Sequence, residues 1–228
     1  MSKPKLYIGL TGTNTEVGKT YVGSNILSGL RDKSITVAAR KAAQSFDPNL
    51  DEPLDSVVLS KATGEDHRLV CPKDLSFALP LAPFMAKREL IGTDLKLDEL
   101  SNISFQDGIQ VGIIEGAGGI LSPLCADGDF IDLMYLQKVD VVLCVAEATL
   151  GSLNSILSCY YGFRDQINSR GYTSLENIDF LIYLNKFESE NRTNELNYLW
   201  LRQNTDFKVF TKISEIVQHL TQLIKFIN

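Results

Sequence analysis

Apolar residues gather in short runs separated by longer amphipathic stretches. Lys5 to Thr11 (KLYIGLT), Ile35 to Ala39, Ile109 to Ile114, Val139 to Ala146 and Ile178 to Leu184 have the length and β-branched content of buried strands. The stretches between them read as helices. VGSNILSGLR follows the first run, and Leu153, Ile156, Leu157, Tyr160 and Tyr161 keep the i, i+3, i+4, i+7, i+8 spacing of an apolar helix face. Ile213, Ile216, Val217, Leu220, Leu223, Ile224 and Ile227 hold the same period to the C-terminus. Both stripes predict core faces; an amphipathic last helix could instead dock a partner. Short strands alternating with helices predict an α/β fold, with a doubly wound, mainly parallel sheet carrying helices on both faces.

One segment departs from this alternation. Ala42 to Pro53 (AAQSFDPNLDEP) is polar, contains prolines and is long for a strand-to-helix turn. It reads either as a solvated loop or as part of a ligand site, because open α/β sheets bind ligands beyond their strand ends. No repeat, low-complexity tract or composition shift marks a boundary, so residues 1–228 are read as one domain. With 44% hydrophobic and 22% charged residues the chain has a globular composition. Its 22 basic and 28 acidic side chains give a net charge of −6, which argues against a nucleic-acid or membrane-surface binder. Cys71, Cys125, Cys144 and Cys159 include no Cys-x-x-Cys pair, and the histidines are His67 and His219. That pattern argues against a zinc site or a disulfide framework. No run of about 18 apolar residues occurs, so a cytoplasmic protein is expected.

The strongest chemical signal is Gly12-Thr-Asn-Thr-Glu-Val-Gly18-Lys19-Thr20, set between the first strand and the first helix. Such a loop cradles phosphates on backbone N–H groups and a helix N-terminus, with Lys19 on the β/γ oxygens and the Thr20 hydroxyl on magnesium. Here five residues separate the two glycines, where the common pattern has about four, and Thr13 takes the usual first-glycine position.

Magnesium requires further hard oxygen ligands. Glu115 ends the run VGIIE and precedes Gly116-Ala117-Gly118-Gly119. A carboxylate at the end of a buried strand calls for a cation nearby, although a capping role in the glycine turn is the simpler alternative. Asp55 heads the helical stretch DSVVLSKATG, where an N-cap role and metal ligation are equally well served. Lys41, beside Arg40 at the end of the second run, would open onto the same crevice and offset charge during phosphoryl transfer. A lysine at a strand end is more commonly solvated. Read as solvent-facing, Lys41 predicts that Lys41→Ala abolishes turnover while leaving the fold near normal.

Taken in order, GTNTEVGKT, Lys41-Ala-Ala-Gln-Ser45, Asp55-Ser-Val-Val-Leu, Phe77-Ala-Leu-Pro80-Leu-Ala-Pro83, Glu115-Gly-Ala-Gly-Gly119 and Leu150-Gly-Ser-Leu-Asn154 resemble the dethiobiotin synthetases. The resemblance covers roughly two-thirds of the chain, and the ordered combination is far more specific than any one motif. It implies an ATP-dependent ligase of biotin synthesis, usually a homodimer, that closes a ureido ring on 7,8-diaminononanoate using carbon dioxide, ATP and magnesium. One amine would take up carbon dioxide as a carbamate, whose oxygen attacks the γ-phosphate. The second amine would then displace phosphate from the mixed anhydride.

The resemblance further implies roles residue by residue. Glu16, Val17, Gly18, Lys19, Thr20 and Tyr21 would form the nucleotide loop, with Asp55, Glu115, Gly116, Ala117 and Gly118 beside it. Thr20, Asp55 and Glu115 would be the magnesium ligands, Lys41 and Lys19 the catalytic cations, and Thr15, Ser45, Gly119 and Asn154 the substrate contacts. Asn185, with Lys186 beside it, would read the nucleobase. Several family positions differ here: Ala42 stands for a proline after the lysine, Phe84 for a histidine after Pro83, and Ser155 for a histidine after Asn154. Ile213-Ser214 matches a late Ile-Pro element by spacing alone. These differences leave two alternatives, a related P-loop ligase acting on another amine and a nucleotide-switch ATPase. The latter class often carries a lysine early in the loop, where this chain reads Gly12-Thr-Asn.

Overall fold

The computed structural model describes residues 3–227. The chain runs from β1 (Leu6–Gly12) into α1 (Lys19–Arg31), then through β2 (Val37–Lys41), β3 (Gln44–Ser45), α2 (Asp55–Thr63), α3 (His67–Val70) and β4 (Ser76–Phe77). It continues through α4 (Pro83–Ile91), α5 (Leu97–Ser101), β5 (Val111–Glu115), β6 (Pro123–Cys125), β7 (Gly128–Asp129) and α6 (Phe130–Gln137). The last third holds β8 (Val141–Glu147), α7 (Ser152–Arg170), β9 (Asp179–Asn185), α8 (Arg192–Asn204), β10 (Lys208–Phe210) and α9 (Ile213–Phe226).

Six of these strands form one sheet in the order β10-β9-β8-β1-β5-β2, and every pairing is parallel. Side-chain alternation explains why both faces must be covered. In β1, Leu6, Ile8 and Leu10 point into one core together with Val22, Ile26 and Leu27 of α1, Leu59 of α2, and Ile216 and Leu220 of α9. Tyr7 points into the other, which is filled by Phe130, Leu133 and Met134 of α6, Ile156, Phe163 and Ile167 of α7, and Leu201 of α8. β8 divides in the same way, with Val141, Leu143 and Val145 on the first side and Val142, Cys144 and Ala146 on the second. The doubly wound α/β architecture expected from the apolar runs is the one observed.

Four local readings are corrected. The second strand lies two residues later than Ile35 to Ala39, because Ser34 takes a left-handed φ of 60° on leaving α1 and only then does the chain pair with β5. β10 was not foreseen: it is a three-residue edge strand with an exposed Lys208 and no apolar run to announce it. The segment after Lys41 is not wholly a loop, since Gln44–Ser45 pairs in parallel with Ser76–Phe77. On α7 the buried face is Ser152, Ile156, Cys159, Phe163 and Ile167, while Tyr161 is 64% exposed. This helix passes close to the loop after β1, with Cys159 Sγ 4.0 Å from the Gly12 carbonyl, so its inner face needs small residues that an apolar count passes over. On α9, Ile216, Val217, Leu220 and Ile224 are buried as expected, and Ile227 falls just beyond the helix.

Candidate active site

The C-terminal ends of β1, β2 and β5 lie side by side, and the register places Glu115 opposite both Leu10 and Lys41. Each strand end delivers one part of the site. After β1 the loop turns at Glu16 (φ 58°) and Gly18 (φ 89°) before α1 begins at Lys19. Gly18 is required twice over: its φ is left-handed, and a Cβ there would stand 2.2 Å from Asn185 Nδ2. No side chain caps the N-terminus of α1, so its first N–H groups are left for an anion.

Lys19, Thr20, Lys41, Asp55 and Glu115 converge. Lys41 Nζ lies 2.6 Å from Glu115 Oε1 and 2.7 Å from Asp55 Oδ2, and also donates to the Gly116 carbonyl at 3.3 Å. Thr20 Oγ1 lies 2.7 Å from Asp55 Oδ1 and 2.8 Å from Glu115 Oε1. Lys19 Nζ donates to the Asn14 carbonyl at 2.8 Å, back across its own loop. Lys41 and Glu115 are 4% and 0% exposed, which corrects the solvent-facing reading of Lys41. The side chain is the buried counter-charge of a carboxylate, so removing it strands a charge in the interior. Asp55 is the first residue of α2, whose N-cap is Leu54; its carboxylate therefore serves the cluster rather than the cap.

The electrostatics follow from this packing. Burial opposes the charge on Lys41, but Glu115 and Asp55 outweigh it and hold the ammonium above its ordinary range. Burial likewise works against Asp55, and Lys41 overcomes it to keep that carboxyl below its usual value. For Glu115 burial dominates and raises the pKa in spite of Lys41. Burial and the neighbouring Lys41 together lower Lys19.

The donor set suits a magnesium ion. Three oxygens of Thr20, Asp55 and Glu115 crowd together with one hydroxyl proton among them, and Glu115 Oε2 is buried with no partner among the described residues. A hard cation would meet the unpartnered Glu115 Oε2 and offset the carboxylate charge that Lys41 alone leaves unbalanced. Among the described residues no group of three or more His, Cys, Asp or Glu forms a protein-only metal cage, and magnesium commonly takes one or two carboxylates with the remaining positions left to water and phosphate.

The remaining expected positions divide. Gly116 to Gly119 close over the loop after β1: a Cβ at Gly119 would touch the Gly12 and Thr13 carbonyls at 3.4 Å, and Gly119 N donates to Ser122 Oγ at 2.9 Å. Val17 is buried, while Thr15, Glu16 and Tyr21 face outward from the loop and Ala117 is half-buried. Ser45 Oγ donates to the Leu81 carbonyl at 2.5 Å, tying the segment after β2 to the one before α4. Asn154 is exposed in the first turn of α7, with no hydrogen bond to the cluster. Asn185 and Lys186 do not face outward together. Asn185 Nδ2 donates to the Val17 carbonyl at 2.9 Å, under the loop, whereas Lys186 turns away at φ 56° to pair with Glu147 at 2.7 Å. Gln44, buried beside α2, has no role among the expected positions, because nothing in the polar stretch Lys41-Ala-Ala-Gln-Ser45 sets it apart from a solvated amide.

A family model described as an AAA domain matches residues 7–173. The chain is 31% identical over 204 residues to the ATP-dependent dethiobiotin synthetase BioD of Aquifex aeolicus, covering 88% of this chain and 86% of that protein. It is 34% identical over 154 residues to the same-named protein of Caulobacter vibrioides strain NA1000, covering 65% of this chain and 69% of that one. Among solved structures, a plasmid partition protein from Borrelia burgdorferi is similar with a TM-score of 0.49 and 13% identity, covering 99% of this chain and 98% of that one; this likeness carries no functional weight.

Proposed function

The chain belongs to the ATP-dependent dethiobiotin synthetase family, and from that premise we propose how its residues carry out the family's reaction. The enzyme is an ATP-dependent ligase acting on small molecules. In this reading it carboxylates 7,8-diaminononanoate with carbon dioxide, passes the γ-phosphate to the carbamate, and closes the ureido ring with release of phosphate. The observation that supports it best is the convergence of Lys19, Thr20, Lys41, Asp55 and Glu115 at three adjacent strand ends beside the phosphate loop.

Thr20, Asp55 and Glu115 would hold magnesium, which supplies charge neutralisation and alignment of the β- and γ-phosphates when bound. Lys19 would leave the Asn14 carbonyl for the phosphate oxygens. Lys41, kept protonated by two carboxylates, would face the carbamate and the transferring phosphoryl group, where negative charge accumulates in every step. Positioning and charge stabilisation are what phosphoryl transfer asks of a protein. The loop residues Glu16 to Tyr21 and the turn Gly116 to Gly118 would wrap the nucleotide. Asn185 would hold the Val17 carbonyl with one amide N–H, leaving its second N–H and its Oδ1 for the base; Lys186 would lie at the rim. Thr15, Ser45, Gly119 and Asn154 would line the diamine side.

The reading treats residues 1–228 as a single domain of a cytoplasmic homodimer that needs neither nucleic acid nor membrane. Among the described residues no helix is long and apolar enough to cross a membrane. Purified protein given the diamine, bicarbonate, ATP and magnesium should release phosphate and form the cyclic urea. Phosphate release that ignores the diamine, or that responds only to a different amine, overturns the substrate assignment. Light scattering at twice the chain mass is expected for the dimer.

A further inference from the structure

Gln44 is 4% exposed, and both of its amide N–H groups and one lone pair of its Oε1 are engaged. Its Oε1 accepts from the backbone N–H of Ser56 at 3.1 Å, and its Nε2 donates to Ser56 Oγ at 3.0 Å and to Ser76 Oγ at 2.8 Å. Ser56 is the second residue of α2, directly after Asp55, and is itself 1% exposed. The helix needs this bond because Leu54, at the N-cap, offers no side-chain acceptor. Gln44 therefore caps the start of α2 from β3, 12 residues earlier in the chain.

The placement bears on the site through short covalent links. Lys41 and Gln44 lie on one stretch of chain, three residues apart; Asp55 and Ser56 are adjacent. One stretch thus grips the other twice, by Lys41 Nζ on Asp55 Oδ2 at 2.7 Å and by Gln44 on Ser56. The first contact is an ion pair whose lysine is needed by the proposed reaction. The second is neutral and buried.

We propose that Gln44 is a positioning residue that fixes the Asp55 carboxylate against Thr20, so that the cation site stays assembled when Lys41 turns to the substrate. This rests on the proposed role of Thr20, Asp55 and Glu115 as magnesium ligands. Hydrogen-bonding partners that orient a metal ligand commonly change metal affinity by about 10- to 100-fold when removed, and a change of that size is expected here.

The test compares Gln44→Met, which keeps the volume and deletes all three bonds, with Ser76→Ala, which deletes one Gln44 bond but leaves the grip on Ser56. ATP affinity is titrated against magnesium for both variants and the unaltered protein, alongside melting temperatures. The unaltered protein must show magnesium-dependent ATP binding; if it does not, the magnesium reading itself fails. Given that dependence, Gln44→Met should raise the half-saturating magnesium concentration about tenfold with magnesium-free ATP affinity unchanged, and Ser76→Ala should leave both unchanged. In an Asp55→Asn background Gln44→Met should add little. A Gln44→Met protein with ordinary magnesium dependence overturns the proposal, as does an equal shift in Ser76→Ala or full additivity with Asp55→Asn. If Gln44→Met does not fold, Ser56→Ala, which deletes the Ser56 Oγ partner of the Gln44 amide, replaces it under the same criteria.

Discussion

The side-chain amide of Asn185, at the end of β9, donates to the backbone carbonyl of Val17 at 2.9 Å and so fastens the phosphate loop to a strand 168 residues away. The same amide fills the space where a side chain at Gly18 would stand. The loop's shape is thus held from below by tertiary contact as well as by its glycines.

Asn185→Ala should weaken ATP binding about tenfold, the equivalent of about 1.4 kcal/mol, because the buried Val17 carbonyl loses its donor. Gly18→Ala should cost more, since it combines a clash with a left-handed φ. The double variant should fall short of the sum, because Asn185→Ala removes the clash and leaves only the backbone strain. Calorimetric ATP titrations of the three proteins check this; strict additivity would show that the two residues act separately.

Lys41→Ala should abolish turnover and also destabilise the fold by about 3–5 kcal/mol, the scale for stranding one partner of a buried ion pair. Magnesium should restore part of the melting temperature by taking up the freed carboxylates. Thermal melts with and without magnesium decide it: a variant as stable as the unaltered protein would mean that Glu115 is not dependent on Lys41.

β2 is an edge of the sheet, and its unpaired edge is met by side chains rather than by another strand. Glu65 Oε2 accepts from the Ala39 N–H at 2.9 Å, while Arg40 Nη1 bridges Glu65 Oε1 at 2.7 Å and the Ala39 carbonyl. Glu65→Ala should lower stability by about 1–3 kcal/mol by leaving the N–H and the guanidinium short of a partner, and should promote edge-to-edge association. Static light scattering on warming should show aggregation earlier for Glu65→Ala than for Glu65→Gln, which keeps an acceptor.

His219 packs against Phe210, and its Nε2 is buried with no partner among the described residues. Burial, assisted by Lys208 and opposed by Asp179, holds its pKa below the ordinary 6.5. The unfolded chain therefore takes up a proton first as pH falls. The contribution of His219 to stability is complete above about pH 6.5 and declines below it toward the folded value. Melting temperatures between pH 7 and pH 5 should fall less steeply for His219→Leu than for the unaltered protein. Parallel slopes would remove His219 from the acid response.

Much of the architecture was legible in the chain because buried parallel strands write themselves as unbroken apolar runs, and the phosphate loop as a fixed spacing of glycine, lysine and threonine. Where the signal was short or small, it failed. Lys208 to Phe210 is too brief and too exposed to stand out, and the inner face of α7 uses Ser152 and Cys159 where the apolar count favoured Tyr161. Gln44 carried no signal at all, since an amide in a polar segment looks solvated until its partners are known.

What the sequence determined by itself was therefore local and periodic: which segments form strands or helices, where the glycine-lysine-threonine loop falls, and which lysines and carboxylates are candidates. The tertiary structure decided their meaning, because it alone sets burial and register. It turned Lys41 from a solvated strand end into the counter-charge of Glu115, decided between the two open roles of Asp55 in favour of the charged cluster, and placed Asn185 beneath the loop. Charge and hydrogen bonding depend on distances between residues far apart in the chain, and those distances exist only once the sheet has brought its strand ends together.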